Sequence, residues 1–313
     1  MTGSEFERAV GRPIRSRAEF IAAFATAIED RQGWAGGKLG GTERTVLDYP
    51  RVLETERDVV RRRAFEQVVA YKACRLAGVF PADTRFLESW TRDFSAAVRS
   101  LDSVGFFATA LPHTARLITY HGIAGELVDQ RDQQFDRSTP ADASRCWLPL
   151  LRGKRLLLVC PFASLLQQRA TRETFEAVWA KTGRTWFDPA SVGAVDFAYG
   201  IDETTQQRYG SCAELMETIV ADIERNEFDV ALIAAGALGI PLAVRVKALG
   251  RVGLSLGGVL QVLFGVHGER WLAMEKWRER FINDAWIRVP ERYAPRPEAI
   301  ARMRATLENE TYW

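Results

Sequence analysis

The sequence predicts an α/β fold: a Rossmann-like, mostly parallel sheet flanked by helices, with a helical segment inserted at about residues 54–103. Three observations carry that reading. Residues 228–271 run as a buried strand, a glycine turn, a helix, a second strand and the pair Gly257-Gly258, which together form a β-α-β unit. The strands are continuous apolar runs, as strands covered on both faces require. Hydrophobic residues make up 47% of the 313, which supplies a sizeable core and excludes global disorder. The chain reads as one α/β domain over residues 1–313.

Taken in order, Ser16 and Glu19 form a capping box that opens a helix, with Phe20, Ile21, Phe24 and Ile28 on its buried face. Residues 34–39 predict a short strand, followed by a glycine loop and a helix from about Thr42. Two long helices are expected at 54–77 and 83–103. The first is stopped by Gly78 and Pro81, and the second carries Phe86, Trp90, Phe94, Ala97 and Leu101 as a core stripe. Residues 117–120 read as a strand before His121. Residues at about 130–144, including Pro140, read as a polar surface connection. In the second half, strands are expected at 156–160, 185–187, 230–234 and 252–256, with a weaker one at 195–199. Helices are expected at 169–181, from the Ser211/Glu214 capping box to 225, and at 241–249. The strands at 156–160, 230–234 and 252–256 should be adjacent and parallel, because short crossovers link such units.

The net charge of +2 comes from interspersed signs and gives no footprint for nucleic acid. Arg61-Arg62-Arg63 is either a solvated helix face or a contact for an acidic partner or membrane surface. Cys74, Cys146, Cys160 and Cys212 are far apart and form no CxxC pair. They suit reduced thiols, and no zinc or haem site is expected. The N-terminus is polar, and the apolar run 230–244 is broken by Gly236, Gly239 and Pro241, so no transmembrane segment is expected. The expected location is the cytoplasm, with peripheral contact at the inner face of the membrane left open.

Glycine turns at the carboxyl ends of parallel strands let backbone approach a ligand, and a helix N-terminus there favours anions. Gly236 and Gly239 lie on such a turn, and Gly257, Gly258 and Gln261 on the next. The first turn lacks the leading glycine of GxGxxG, and no acidic residue ends strand 252–256, so NAD is not expected. No GxSxG elbow exists, which removes support for a hydrolase triad. His113 and His121 flank the expected strand and have no paired nucleophile, and His267 is a lone loop histidine, more often incidental than catalytic. Lys38, Gly40 and Gly41 precede Glu43 on the turn after strand 34–39. That carboxylate is either a base or metal ligand, or a first-turn residue complementing the helix dipole.

Residues 38–43, Lys-Leu-Gly-Gly-Thr-Glu, resemble the Arg-Phe-Gly-Asp-Gly-Glu signature of GT-D-type glycosyltransferases. The stretches 156–162, 229–233 and 255–261, with 263–265, 268–271, Trp286, Tyr312 and Trp313, resemble GT-D-like proteins of bacterial surface polysaccharide synthesis. The resemblance implies glycosyl transfer from a nucleotide-sugar donor to a glycan or lipid-linked acceptor. It implies Glu43 as catalytic base or metal ligand, and a divalent cation, manganese or magnesium. Lys38, Gly40, Gly41, Gly236, Gly239, Gly257, Gly258 and Gln261 would bind the ligand. Gly41 stands where the signature has aspartate, so only the glutamate carries over and metal dependence stays open. A non-catalytic sugar-nucleotide or glycan-binding subunit is the alternative.

Overall fold

The computed structural model describes residues 1–135 and 146–304. Most of the predicted connection at 130–144, and Tyr312 and Trp313, lie outside the described residues. Apart from a separate parallel pair, Val266–His267 with Ile287–Arg288, the strands are β1 (Ile14–Arg15), β2 (Trp34–Leu39), β3 (Ser103–Phe106), β4 (Glu126–Asp129), β5 (Arg155–Val159), β6 (Ser191–Val195), β7 (Val230–Ile233) and β8 (Val252–Ser255). They form one sheet in the order β1-β4-β3-β2-β8-β7-β5-β6. Every pairing in it is parallel. The three strands expected to be neighbours are neighbours, with β7 between β5 and β8.

The helices are α1 (Gly3–Val10), α2 (Arg17–Glu29), α3 (Gly41–Thr55), α4 (Val59–Ala70), α5 (Thr84–Arg99), α6 (Leu111–His121), α7 (Gln130–Gln133), α8 (Ala163–Arg169), α9 (Arg172–Val178), α10 (Glu203–Tyr209), α11 (Cys212–Glu224), α12 (Gly239–Ala248), α13 (Val259–Leu263), α14 (Glu269–Leu272), α15 (Glu275–Phe281) and α16 (Pro297–Arg304). They cover both faces of the sheet. One apolar cluster packs α3, α5, α6, α11 and α12 against Ala35, Leu39, Val104 and Ile233. The other packs α2, α8, α9 and α13 against Trp34, Leu158, Leu232 and Leu254. The side chains of a strand alternate between faces, which is why both clusters draw on the same strands. Moves along the sheet in one direction cross by the first face and returns cross by the second, as one crossover hand demands.

Local chemistry explains the element ends. Ser16 accepts the Glu19 amide while Glu19 caps Ser16 in return, so the predicted box opens α2. Asp102, just before β3, accepts the Ala35 amide at 2.8 Å, and Lys247 bridges to it at 2.7 Å. Asp229, just before β7, does the same for the Arg155 amide at 2.8 Å. Carboxylates thus satisfy strand amides at the amino edge of the sheet.

Several sequence expectations are corrected. Residues 117–120 lie in α6, which has proline in its first turn and closes on left-handed Gly122. Residues 185–187 form no strand; the sixth strand is Ser191–Val195, upstream of the 195–199 candidate. The expected helix 54–77 is three pieces: the end of α3, then α4, then a π-helical turn, Tyr71–Leu76. The expected helix 83–103 ends at Arg99, and Ser103–Phe106 is a central strand. The expected helix 169–181 is broken between α8 and α9. Arg61, Arg62 and Arg63 are exposed on α4. Among the described residues, no helix is long and apolar enough to cross a membrane.

Candidate functional site

The carboxyl ends of β2 and β8 mark the switch point of the sheet, where a crevice is expected. The chain leaves β2 into α3, whose Val46, Leu47 and Tyr49 pack on the first face. It leaves β8 into α13, whose Val259 and Leu260 pack on the second. Adjacent strands whose connections depart to opposite faces open a gap between their loops, and open α/β sheets bind ligands there.

Strand β2 places Lys38 in that gap. Its register sets Lys38 opposite Gly105 of β3 and Gly37 opposite Ser255 of β8. A Cβ on Gly105 would lie 3.2 Å from Lys38 Cβ and 2.3 Å from Gln133 Oε1, so glycine there makes room for both side chains. Gln133 is 2% exposed and donates its amide to the Gly37 carbonyl at 3.3 Å and the Ser103 carbonyl at 3.4 Å. The segment expected to be a surface connection therefore begins inside the fold. The Lys38 side chain runs past Gly257, where a Cβ would meet its Cε at 3.3 Å and Nζ at 3.6 Å. Its ammonium stands 5.9 Å from the centre of the Phe107 ring.

Gly40 caps α3 and Glu43 occupies the third helical position. The carboxylate folds back so closely that a Cβ on Gly40 would lie 2.5 Å from Glu43 Oε2. It accepts the Gly40 amide as well as its own. Burial raises the proton affinity of Glu43, against the opposing pull of Lys38, these amides and Arg44. Arg44, the next residue, donates Nε to the Gly40 carbonyl at 3.3 Å, and its guanidinium lies 5.7 Å from the same Phe107 ring. Arg44 Nη1 is buried and has no hydrogen-bond partner among the described residues. Lys38, Glu43, Arg44 and Phe107 thus meet at one turn.

The other predicted ligand-binding residues divide. Gly257 has φ +57°, a left-handed turn beside Lys38. Gly258 has φ −57°, an ordinary right-handed value that any residue adopts, so its backbone does not require glycine. Gly236 has φ +53°, and a Cβ there would lie 2.7 Å from the Ala77 carbonyl oxygen; its close approach is to protein. A Cβ on Gly239 would lie 2.6 Å from Ser255 Oγ, another packing contact. Gln261 is 3% exposed, and its amide donates to the Val266 carbonyl at 3.4 Å, inside the fold. Gly41 has open space around it.

The inserted helical segment braces this turn. Lys72 Nζ, on the π-helical turn, donates to Thr45 Oγ1 at 3.0 Å, and Thr45 donates to the Gly41 carbonyl at 2.9 Å. Ala77, at the end of that turn, holds Gly236. The histidines stand apart from the crevice. His113 Nε2 lies 3.3 Å from the buried Asp48 carboxylate, His121 Nε2 lies 2.6 Å from the Leu47 carbonyl, and His267 is buried beside Glu269 and Arg288. Two surface concavities also lie elsewhere, one along residues 8–12 and 118–124, the other between α3, α4 and α5.

The divalent cation implied by the resemblance finds a poor donor set. Hard cations take several oxygen ligands. Here Glu43 faces Lys38 and Arg44, and among the described residues no three His, Cys, Asp or Glu side chains are placed to hold a metal ion. All four cysteines are buried and unpaired.

Sequence reasoning missed Arg44 and Phe107. Arg44 was adjacent to a residue already singled out, but the first turn of a helix gives no sign that a cation will fold back over its cap. Phe107 follows β3, a strand absent from the sequence reading, whose first residue, Ser103, falls at the end of the expected helix 83–103. Comparison with protein-family models, curated proteins and solved structures found no match to this chain.

Proposed function

We propose that the crevice binds a nucleotide-sugar and that the chain transfers its glycosyl group to a glycan or lipid-linked acceptor in bacterial surface polysaccharide synthesis. One observation carries the reading: a cation and a buried carboxylate, Lys38 and Glu43, meet at the carboxyl end of a central parallel strand. In this reading Glu43 takes the proton of the acceptor hydroxyl. The hydroxyl oxygen bonds to the anomeric carbon, and the bond from that carbon to the diphosphate breaks. The nucleoside diphosphate leaves with the electron pair, and Lys38 offsets its charge. A raised proton affinity suits Glu43 to that role, because a base works best with a pKa nearer the working pH.

A binding subunit without turnover is the second reading. It is favoured by Gly41 in place of the signature aspartate and by the engagement of Glu43 with the Gly40 amide. A panel of nucleotide-sugars, screened by thermal shift with and without manganese and followed by donor hydrolysis, separates the two. Specific stabilisation with slow hydrolysis is expected of the transferase, and stabilisation alone of the subunit. A panel that leaves the melting temperature unmoved contradicts both.

A further inference from the structure

We infer that this crevice holds the diphosphate of its ligand with Lys38 and Arg44 as the counter-cations, in place of a divalent metal. The inference rests on the nucleotide-sugar reading and names Arg44 as a binding residue. Its first support is the orphaned donor. Arg44 Nη1 is buried without an acceptor among the described residues, while Nε is fixed on the Gly40 carbonyl. A buried donor left unsatisfied loses its hydration without recompense, the more so on a charged group, so such a group calls for an acceptor. A phosphate oxygen is a strong acceptor for a guanidinium fork.

The second support is convergence. Lys38 Nζ and the Arg44 guanidinium approach one ring, Phe107, at 5.9 and 5.7 Å, from β2 and α3 respectively. Glu43 attracts both cations and so holds them at the same turn. Two cations match the two charges of a diphosphate diester, a task otherwise given to a bound metal. The third support is room. Gly257 beside Lys38 and Gly41 at the start of α3 have no side chains to crowd an anion beside the two cations.

Calorimetric titration of inorganic pyrophosphate, first in EDTA and then with excess manganese, tests this. Binding is expected in EDTA, with little gain from manganese. Arg44→Gln and Lys38→Gln should each weaken it about tenfold or more, the loss of one charge-assisted contact, with Arg44→Lys intermediate. Thermal melts of each variant confirm that the fold survives. Binding that requires manganese, binding indifferent to both glutamine variants, or no pyrophosphate binding would each overturn the inference. A nucleotide-sugar that binds only with manganese would sink it while sparing the proposed function. Metal-free pyrophosphate binding without preference for any nucleotide-sugar would do the reverse.

Discussion

At the scale of the residue, Glu43 is half-buried at a helix start, with its carboxylate folded onto Gly40. Glu43→Gln keeps the shape and one hydrogen-bond acceptor while removing the basic oxygen. With a validated donor, turnover should fall about 10²-fold while the melting temperature stays close to the parent's. Steady-state kinetics on the variant decide this, and unchanged turnover would remove Glu43 from the mechanism. Asp48, farther along the same helix, has a structural part. Burial pushes its carboxyl up, but His113 and Arg51 outweigh burial and bring it down to about 2. A depressed carboxyl stabilises the fold above its unfolded pKa, roughly 3.9, and that contribution is lost as pH falls through about 2. Asp48→Asn should therefore cost about 1–3 kcal/mol at pH 7 in urea unfolding, with the gap to the parent closing between about pH 4 and pH 2.

At the scale of the element, the glycine turns are not equivalent. Gly236 combines a left-handed φ with the Ala77 carbonyl 2.7 Å from where a methyl would sit, and a backbone oxygen cannot swing aside. Gly257 has the same sign of φ, but its neighbour is the far end of a flexible lysine. Gly236→Ala should lose more than the roughly 1–2 kcal/mol of left-handed strain, and Gly257→Ala about that amount. Only Gly257→Ala should also weaken anion binding, by displacing Lys38. Thermal melts beside calorimetry of the two variants read out both orderings.

Much of this level was legible. The buried strands β5, β7 and β8 are legible as apolar runs followed by glycine or proline, β2 is legible from the glycine loop after it, and the Ser16 and Ser211 caps mark helix starts. The left flank of the sheet was not. Strand β3 has four residues, one of them glycine, directly after a strong amphipathic helix, so its signal merged with the stripe before it. Residues 117–120 are apolar and include β-branched side chains, yet Pro112 and Gly122 bracket them as a helix. Trp186 and Phe187 suit their places because they pack on Phe175, not because residues 185–187 pair in a sheet. The site was half legible for the same reason. Lys38, Glu43 and Gly257 follow strands that could be read, whereas Arg44 and Phe107 required knowing that β3 lies beside β2.

At the scale of the molecule, one parallel sheet joins both halves of the chain through the β2–β8 pairing, and the crevice lies at that seam. The inserted helical segment ties the seam to the neighbouring turn: Lys72 bonds to Thr45 after β2, and Ala77 packs on Gly236 after β7. We propose that a phosphate-bearing donor is bound at this seam through Lys38. Lys38→Met tests it most directly, because the side chain keeps its length and apolar packing while losing its charge. Calorimetric titration of the nucleotide-sugar that best stabilises the parent should show affinity falling about tenfold or more, with the melting temperature little changed. A variant that binds the donor as tightly as the parent would contradict the account and place the site elsewhere.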